Sequence, residues 1–431
     1  GPGAVRIHLV PPQRPRPGVP WAVILNGQDV LPLNTSWAVL LREFILTVNE
    51  HSGEELCPED VKEVVRHTLR RMKAIYPKAP EDDVRKDLAV LLETLNDIAR
   101  GKAPGAETGF MTLAQYAPYM RAPHRMDLMI SAMRRDGRWN CNQRCLHCYA
   151  ADQPLGERPE LDTEGWKEII DRCREACIPQ LTFTGGEPTL RQDLPELVAY
   201  ASWFVTRLNT NGILLTKELC ARLREASLDS VQITLYDRRR EAHNRLVGAE
   251  QFDRTVEGIG NAVAAGLNVS VNTPLCTLNA DYFDTLNFAA DLGVKYFSCS
   301  GLIPSGGAAG EDSRATRLDE KALQNALSRA LGVCRQRGLE LSFTSPGWLD
   351  DAWLSGRKLT VPSCGACLSN MAVAPDGSVV PCQSWLSGEP LGNLLTQDWK
   401  SIWDSAACRA VRDRAVGHPG VCLLKTTLRG A

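Results

Sequence analysis

Apolar positions in the middle of the chain alternate between two periods. Short β-rich runs at Leu181–Thr184, Phe204–Leu208, Ser230–Leu235, Val269–Asn272 and Lys295–Phe297 are separated by helix-like stretches near 163–177, 194–203, 216–227, 252–266 and 280–292. Repeated strand–helix units predict a parallel sheet with helical cover, because parallel neighbours need a long crossover between them. An open or closed barrel fits better than a sandwich, and ligands of such folds bind at the carboxyl ends of the strands. One more helix is predicted over 318–337. The first hundred residues follow another rhythm. A Pro-rich start leads to the strand Trp21–Leu25, the turn Asn26-Gly27 and a return strand through Leu31 and Leu33. Helical periodicity follows over Trp37–Val48, Pro58–Ile75 and Glu81–Ile98, which makes a hairpin and three helices, a winged-helix-like pattern. Gly101–Gly105 reads as a linker.

Length refines this picture, since 431 residues suit two or three domains. The reading is a winged-helix-like domain over 1–105, a barrel over 106–310, a bridging region over 311–360 and a cysteine-rich, turn-rich domain over 361–431. A net charge of −2 gives no global attraction to nucleic acid or an anionic membrane, so neither partner is expected. No apolar run is long enough to span a bilayer and no signal peptide is seen, so a cytoplasmic location is expected.

Fifteen cysteines change the picture most. In a long chain without a secretory signal they point to metal binding or catalysis rather than a disulfide framework. Eight fall in two groups: Cys141, Cys145 and Cys148, then Cys364, Cys367, Cys382, Cys408 and Cys422. The first group has the form CxxxCxxC. Three thiolates on one loop ligate three irons of a cluster and leave a fourth open to a small molecule, whereas a structural zinc site takes four protein ligands. His147 would be the fourth, so spacing alone leaves zinc open.

The neighbouring residues resemble the radical S-adenosylmethionine (SAM) superfamily. Its signature is CxxxCxxC after the first barrel strand, and Tyr149 after the last cysteine matches a common variant. Thr184-Gly185-Gly186-Glu187-Pro188 is similar to its GGEP motif after the second strand. The resemblance implies that Gly185 and Gly186 let the backbone approach SAM, and that Glu187 and backbone carbonyls accept from the methionine ammonium. Pro188 belongs to the same segment. Asn209–Gly212 is similar to the family's TNG segment, with Asn211 in it. Thr234 stands where relatives carry a serine near the SAM ribose or carboxylate. Arg245, in a stretch that resembles HDxxRG, would pair with the methionine carboxylate, although a solvated charged helix explains it equally.

Cys364-Gly365-Ala366-Cys367, with Gly377 to Cys382 after a hairpin turn at Ala374–Gly377, resembles the SPASM extension of peptide-modifying relatives. The fuller SPASM pattern stops at Cys422, which implies one auxiliary [4Fe–4S] cluster on Cys364, Cys367, Cys382 and either Cys408 or Cys422; a zinc knuckle of the same thiolates is the alternative. The first domain resembles the leader-recognition element of ribosomal-peptide modification systems, which is related to the pyrroloquinoline-quinone peptide chaperone. The fold implied is α/β: a partial (β/α)6 TIM-like barrel with that N-terminal domain and a C-terminal SPASM/Twitch-like cluster domain. The activity implied is reductive cleavage of SAM to a 5′-deoxyadenosyl radical that takes hydrogen from a precursor-peptide residue and yields a thioether or carbon–carbon crosslink. An electron donor such as flavodoxin or ferredoxin would serve it. An epimerase would need a hydrogen donor, for which Cys276 and Cys299 are candidates, with buried core cysteine as their plainer reading. The alternatives are a radical SAM enzyme acting on a small molecule or cofactor precursor, and a redox-sensing regulator with a DNA-binding winged helix.

Overall fold

The computed structural model describes residues 6–16, 18–27, 29–51, 57–99 and 112–427. The expected linker at 101–105 lies outside them. The chain divides into two compact units, Ala4–Arg121 and Ala122–Ala431.

The first unit is a three-stranded antiparallel sheet, β1 (Ile7–Val10), β2 (Trp21–Leu25) and β3 (Asp29–Leu33), followed by α1 (Thr35–Glu50), α2 (Pro58–Ile75) and α3 (Glu81–Ala99). Strand β1 lies in the Pro-rich start, where no strand is expected; Ile7–Val10 pairs antiparallel with Ala22–Leu25. The start of α1 is fixed by Asn34, whose Oδ1 accepts the Trp37 N–H at 2.9 Å and supplies one of the acceptors a helix start lacks. Leu91, Leu95 and Ile98 of α3 pack with Ala38 and Leu41 of α1 against Val23, Leu25, Leu31 and Leu33 of the hairpin. The unit runs on through a short helix α4 (Leu113–Tyr116) because Tyr116 and Met120 are buried and the Gln13 N–H donates to Tyr119 O at 3.0 Å.

The second unit is built on a ten-stranded sheet. Strands β4 (Arg125–Ser131), β7 (Gln180–Gly185), β8 (Val205–Thr210), β9 (Ser230–Thr234), β10 (Asn268–Pro274), β11 (Tyr296–Ser300) and β12 (Glu340–Phe343) are parallel neighbours in that order. Between β4 and β7 come a two-stranded hairpin, β5 (Arg134–Arg135) with β6 (Arg138–Trp139), and helix α5 (Thr163–Glu175). The later crossovers are α6 (Leu194–Tyr200), α7 (Lys217–Glu225), α8 (Arg240–Val247) with α9 (Phe252–Ala264), α10 (Tyr282–Asp291), and α11 (Glu311–Ala315) with α12 (Glu320–Arg337). The region expected only to bridge therefore supplies a seventh parallel strand, β12, with α12 as its crossover.

One face of this sheet is apolar and sealed by helices: Leu181, Phe183, Leu208, Val231, Ile233 and Val271 are at most 1% exposed. The other face alternates with it and is polar, carrying Thr182, Arg207, Asn209, Gln232, Ser270, Asn272 and Ser298; the Ser298 hydroxyl donates to Asn272 Oδ1 at 2.8 Å across it. Strands with one helix-packed face and one polar face leave a lumen on the inside of a curved sheet.

After α13 (Asp351–Ser355), β13 (Asn370–Val373) adds to β4 in parallel, and β14 (Ser378–Val380) and β15 (Gly392–Asn393) continue the sheet antiparallel. The cysteine-rich segment thus extends the barrel's own sheet at the β4 edge. Helices α14 (Trp399–Trp403), α15 (Ala406–Gly417) and α16 (Leu423–Thr427) complete the chain. Among the described residues no helix is long and apolar enough to cross a membrane.

Candidate functional site

The three-cysteine loop leaves the β5–β6 hairpin just beyond the carboxyl end of β4. Glu160 anchors the approach: its Oε1 accepts the Ala132 N–H at 2.9 Å and the Asn140 side-chain amide at 3.1 Å, and Arg191 stands 3.6 Å from its Oε2. Trp139 donates through Nε1 to Gln143 O at 2.8 Å. The loop itself is gripped from two sides by backbone. The Arg144 and Leu146 N–H groups donate to Val247 O and Leu246 O at the end of α8, each at 2.9 Å, and the Gly307 N–H donates to Cys148 O at 2.8 Å. Gly248 closes α8 in the left-handed conformation, φ +64°, and a Cβ there would stand 2.5 Å from Arg144 O. Only glycine allows that approach.

Cys141, Cys145 and Cys148 lie near enough for their charges to act on one another. Burial pushes all three thiols up, Cys141 to about 12, so as free groups they are protonated. A cation at the loop reverses that preference, because a coordinated thiol is deprotonated outright. Burial likewise pushes the Tyr149 phenol up, with Thr184 as its hydrogen-bond partner. His147 is held neutral by burial, which lowers its pKa to about 4, and its Nε2 lies 2.9 Å from Thr316 Oγ1.

The Gly-Gly-Glu-Pro turn faces this loop. Gly185 has φ +147°, and a Cβ there would meet Ser131 O at 2.3 Å, so β7 can run this close to β4 only with glycine. Gly186 N–H donates to the same Ser131 O at 2.7 Å. Glu187 is 1% exposed. Its Oε1 accepts the Thr189 N–H, the Thr189 hydroxyl and the Thr210 hydroxyl at 3.0, 2.5 and 2.6 Å, and its Oε2 accepts the Asn211 N–H at 2.9 Å. Burial raises its pKa and these donors oppose the rise. With its carboxylate engaged four times, Glu187 ties the β7 turn to the end of β8.

Asn211 continues the chain of contacts, donating from Nδ2 to Asn142 Oδ1 inside the cysteine loop at 2.6 Å. Pro188 opens the 3-10 turn after Glu187. Thr234 ends β9 on the polar face. Arg245 is exposed on α8 and makes no ion pair among the described residues, so it stands outside this network. Cys299 faces the helices, with Sγ 3.8 Å from Ser342 O and Cys334 of α12 near it, and is fully buried. That orientation takes it away from the lumen. Cys276 is also fully buried, packed with Tyr236, Leu246 and Leu302 beneath Cys145. Neither thiol is open to a substrate in this arrangement.

The second group of cysteines gathers around β13 and β14. The Cys367 N–H donates to Pro381 O at 3.1 Å, which brings Cys367 and Cys382 together across the hairpin. The Cys364 N–H donates to Pro419 O at 2.8 Å, which brings in the segment of Cys422. Burial pushes Cys382 up to about 12, with Cys422 and Cys364 adding to the rise. Cys408, on α15, hydrogen-bonds with Cys367, which lowers its own pKa and raises that of Cys367; the Arg412 guanidinium donates to Cys408 Sγ at 3.6 Å. An apolar group of Met129, Met133, Ala150, Ala372 and Val380 packs against Cys141, Cys148 and Tyr149, so the hairpin of β13 and β14 backs the first loop.

A partial parallel barrel with three thiols at its strand ends and a cysteine-rich sheet extension offers two thiol-rich sites suited in donor type to iron–sulfur clusters. Comparison with known proteins specifies the family. The Radical SAM superfamily matches residues 140–289, and the SPASM iron–sulfur cluster-binding domain matches 364–423. The PqqA peptide cyclase of Streptomyces rochei is 30% identical over 303 residues, 64% of this chain and 81% of that protein. An AdoMet-dependent heme synthase of Methanosarcina barkeri is 27% identical over 318 residues, 67% of this chain and 87% of that one. The crystal structure of Streptococcus suis SuiB bound to precursor peptide SuiA aligns with a TM-score of 0.61 at 12% identity, covering 91% of this chain and 87% of that one, which is likeness of fold.

The chain belongs to the radical SAM superfamily and is an enzyme of it. Its radical SAM domain binds a [4Fe–4S] cluster and SAM, and its SPASM domain binds auxiliary iron–sulfur.

Proposed function

We propose that this protein modifies a peptide by radical chemistry, with Cys141, Cys145 and Cys148 as ligands of the SAM-binding cluster. The three thiols fit that group in donor type and number, since thiolates suit iron–sulfur clusters and a three-ligand loop leaves one iron for SAM. When bound, the cluster and SAM supply a 5′-deoxyadenosyl radical that abstracts hydrogen from carbon. The protein's part is positional. Tyr149, Gly185, Gly186, Pro188, Asn211 and Thr234 shape the SAM side of the lumen, Glu187 holds the β7 and β8 turns together, and the helix-sealed barrel wall keeps the reacting carbon from bulk water. Arg245 closes that side only if it folds inward from its exposed position. Cys364, Cys367, Cys382 and Cys422 are the ligands proposed for one auxiliary cluster, with Cys408 engaged instead by Cys367 and Arg412.

The observation that carries the peptide reading is the lumen wall itself. Asn209, Gln232, Ser270, Asn272 and Ser298 form a row of amides and hydroxyls across β8 to β11. Such a row matches the alternating donors and acceptors of a peptide main chain. Relatives named for peptide cyclisation and maturation support it. In the first unit, an edge of the β1–β2–β3 sheet would receive the leader segment as an added strand, with affinity from main-chain hydrogen bonds. The product would be a thioether or carbon–carbon crosslink, and the electron would come from a small reductant of the flavodoxin or ferredoxin kind. Relatives named as heme synthases favour a second reading, a cofactor precursor as substrate.

The test is anaerobic turnover of the reconstituted enzyme with SAM, a reductant and a peptide captured by the protein in a pull-down, read by mass spectrometry. A peptide product lighter by two hydrogens supports the proposal. Consumption of a tetrapyrrole with no change in the peptide would replace it with the second reading.

A further inference from the structure

The barrel lumen carries a cation that the chemistry above does not use. Arg207 is the third residue of β8, whose neighbours Thr206, Leu208 and Thr210 pack toward the helices, so Arg207 alternates onto the polar face. It stands in register with Thr182 of β7, which is in register with Asp127 of β4. Strand rise puts it about 13 Å below Asn211, deep beneath the cysteine loop.

Its surroundings leave it unbalanced. Arg125 and Asp127 are the charges that act on it. Asp127 is already committed to Arg125, with Nε to Oδ1 at 2.9 Å and Nη2 to Oδ2 at 3.3 Å. Two guanidiniums therefore share one carboxylate. Arg207 itself makes no ion pair among the described residues, and its Nε is sealed from solvent without a hydrogen-bond partner. Burial pulls its pKa down to about 10, which still leaves it charged at neutral pH. Arg207 is half-buried, and a cation that only shares a carboxylate already paired to another guanidinium is costly to withdraw from water. Three more sealed polar atoms without partners share this wall: Thr182 Oγ1, Asn209 Oδ1 and Ser270 Oγ. They occupy neighbouring strands, with Asn209 in register with Gln232 and Gln232 with Ser270. One contiguous patch of wall thus holds a surplus positive charge and several unused hydrogen-bonding groups.

We propose that this patch is an anion subsite in which Arg207 binds a carboxylate of the substrate. The planar guanidinium fork suits a carboxylate bidentately, and the orphan hydroxyl and amide groups beside it suit the atoms that follow. Resting on the peptide reading above, the substrate class becomes a peptide that places a glutamate or aspartate side chain, or its own C-terminal carboxylate, at the bottom of the lumen. The carbon to be attacked then lies a fixed distance above that anchor, under the cysteine loop. Arg207 is thereby a specificity-determining residue.

The test uses full-length, cluster-reconstituted, SAM-loaded protein and three capped probes: Ac-Glu-NHMe, Ac-Gln-NHMe and Ac-Gln-OH. Binding is measured by saturation-transfer NMR titration on wild type, Arg207→Met and Arg207→Lys. At least one carboxylate probe should bind about ten-fold or more tightly than Ac-Gln-NHMe, as one charge-assisted contact implies. Preference for Ac-Glu-NHMe assigns the side chain, and preference for Ac-Gln-OH assigns the terminus. The preference should vanish in Arg207→Met and survive in part in Arg207→Lys. The Tm of Arg207→Met should equal or exceed that of wild type, since an uncompensated charge has gone. Equal binding of all three probes to wild type, a preference unchanged in Arg207→Met, or a marked fall in its Tm would each overturn the proposal. Release of 5′-deoxyadenosine by wild type in the same preparation tests the radical reading separately.

Discussion

Glu187 accepts the backbone N–H of Asn211 at 2.9 Å through a carboxylate that is 1% exposed. This bond joins the turn after β7 to the end of β8, and Asn211 passes the link on to Asn142 in the cysteine loop. One buried carboxylate thereby sets the spacing between the two segments that flank the SAM side of the lumen.

Glu187→Gln tests that relationship. The substitution puts an NH2 group where Thr189, Thr210 and Asn211 all donate, so a buried donor is left facing a donor. The expected cost is about 2–4 kcal/mol in unfolding free energy. Iron content should hold while SAM affinity falls, as read by denaturant unfolding and equilibrium dialysis. Unchanged unfolding and unchanged SAM affinity would mean that the strap does not position the site.

Gly248 offers a second handle on the loop. A Cβ there would stand 2.5 Å from Arg144 O at a φ of +64°. Gly248→Ala should displace the loop and cost about 1–3 kcal/mol from the backbone conformation alone. The expected result is loss of roughly half the iron, from the SAM-binding site, with the auxiliary iron retained. Full iron loading in the variant would show that the loop tolerates the shift.

The C-terminal thiols make a sharper distinction. Cys422 is drawn to Cys364 by the bond from Cys364 N–H to Pro419 O, while Cys408 is engaged by Arg412 and Cys367. Wild type should bind about eight irons, the content of two [4Fe–4S] clusters. Cys422→Ser should bind about half as many, and Cys408→Ser should stay near the wild-type value. The reverse pattern would make Cys408 the ligand.

Much of this was legible in the chain and part was not. The barrel strands and helices announced themselves because their helix-facing residues are apolar at regular spacing. The two glycines before Glu187 were readable because close approach of β7 to β4 leaves no room for a side chain. The turn Ala374–Gly377 foretold the meeting of Cys367 with Cys382, which the bond from Cys367 N–H to Pro381 O realises. Strand β1 was hidden by flanking prolines, and β12 by its brevity and by Glu340 and Ser342 in it. The addition of β13 to β4 was invisible, since pairing between segments more than two hundred residues apart leaves no local trace. For the same reason Arg207 read as an ordinary strand residue; its significance lies in sharing its one nearby carboxylate, Asp127, with Arg125, which already pairs with it. Strand alternation puts Cys299 on the helix face, fully buried, which is the core-cysteine placement its apolar neighbours suggest.

His243 provides a pH dependence with a definite sign. It is fully buried, its Nδ1 accepts the Tyr236 N–H at 3.3 Å, and burial lowers its pKa from 6.5 to about 4. The folded protein thus keeps it neutral while the unfolded chain takes up a proton below about 6.5. Its stabilising contribution, about 3 kcal/mol at most, is complete above 6.5 and is lost as pH falls toward 4. Thermal unfolding between pH 7.5 and 5 should show a falling Tm, and His243→Asn should flatten part of that slope. Parallel slopes for the two proteins would remove His243 from the account.

The central claim is that Cys141, Cys145 and Cys148 hold a cluster with which SAM is split. The measurement that reaches it most directly is 5′-deoxyadenosine, assayed after anaerobic reconstitution with iron and sulfide and reduction in the presence of SAM. Wild type should form it in step with methionine, and Cys145→Ala should form none while keeping its auxiliary iron. A wild-type protein that stays colourless and leaves SAM intact, or a Cys145→Ala variant that cleaves SAM as fast as wild type, would contradict the claim.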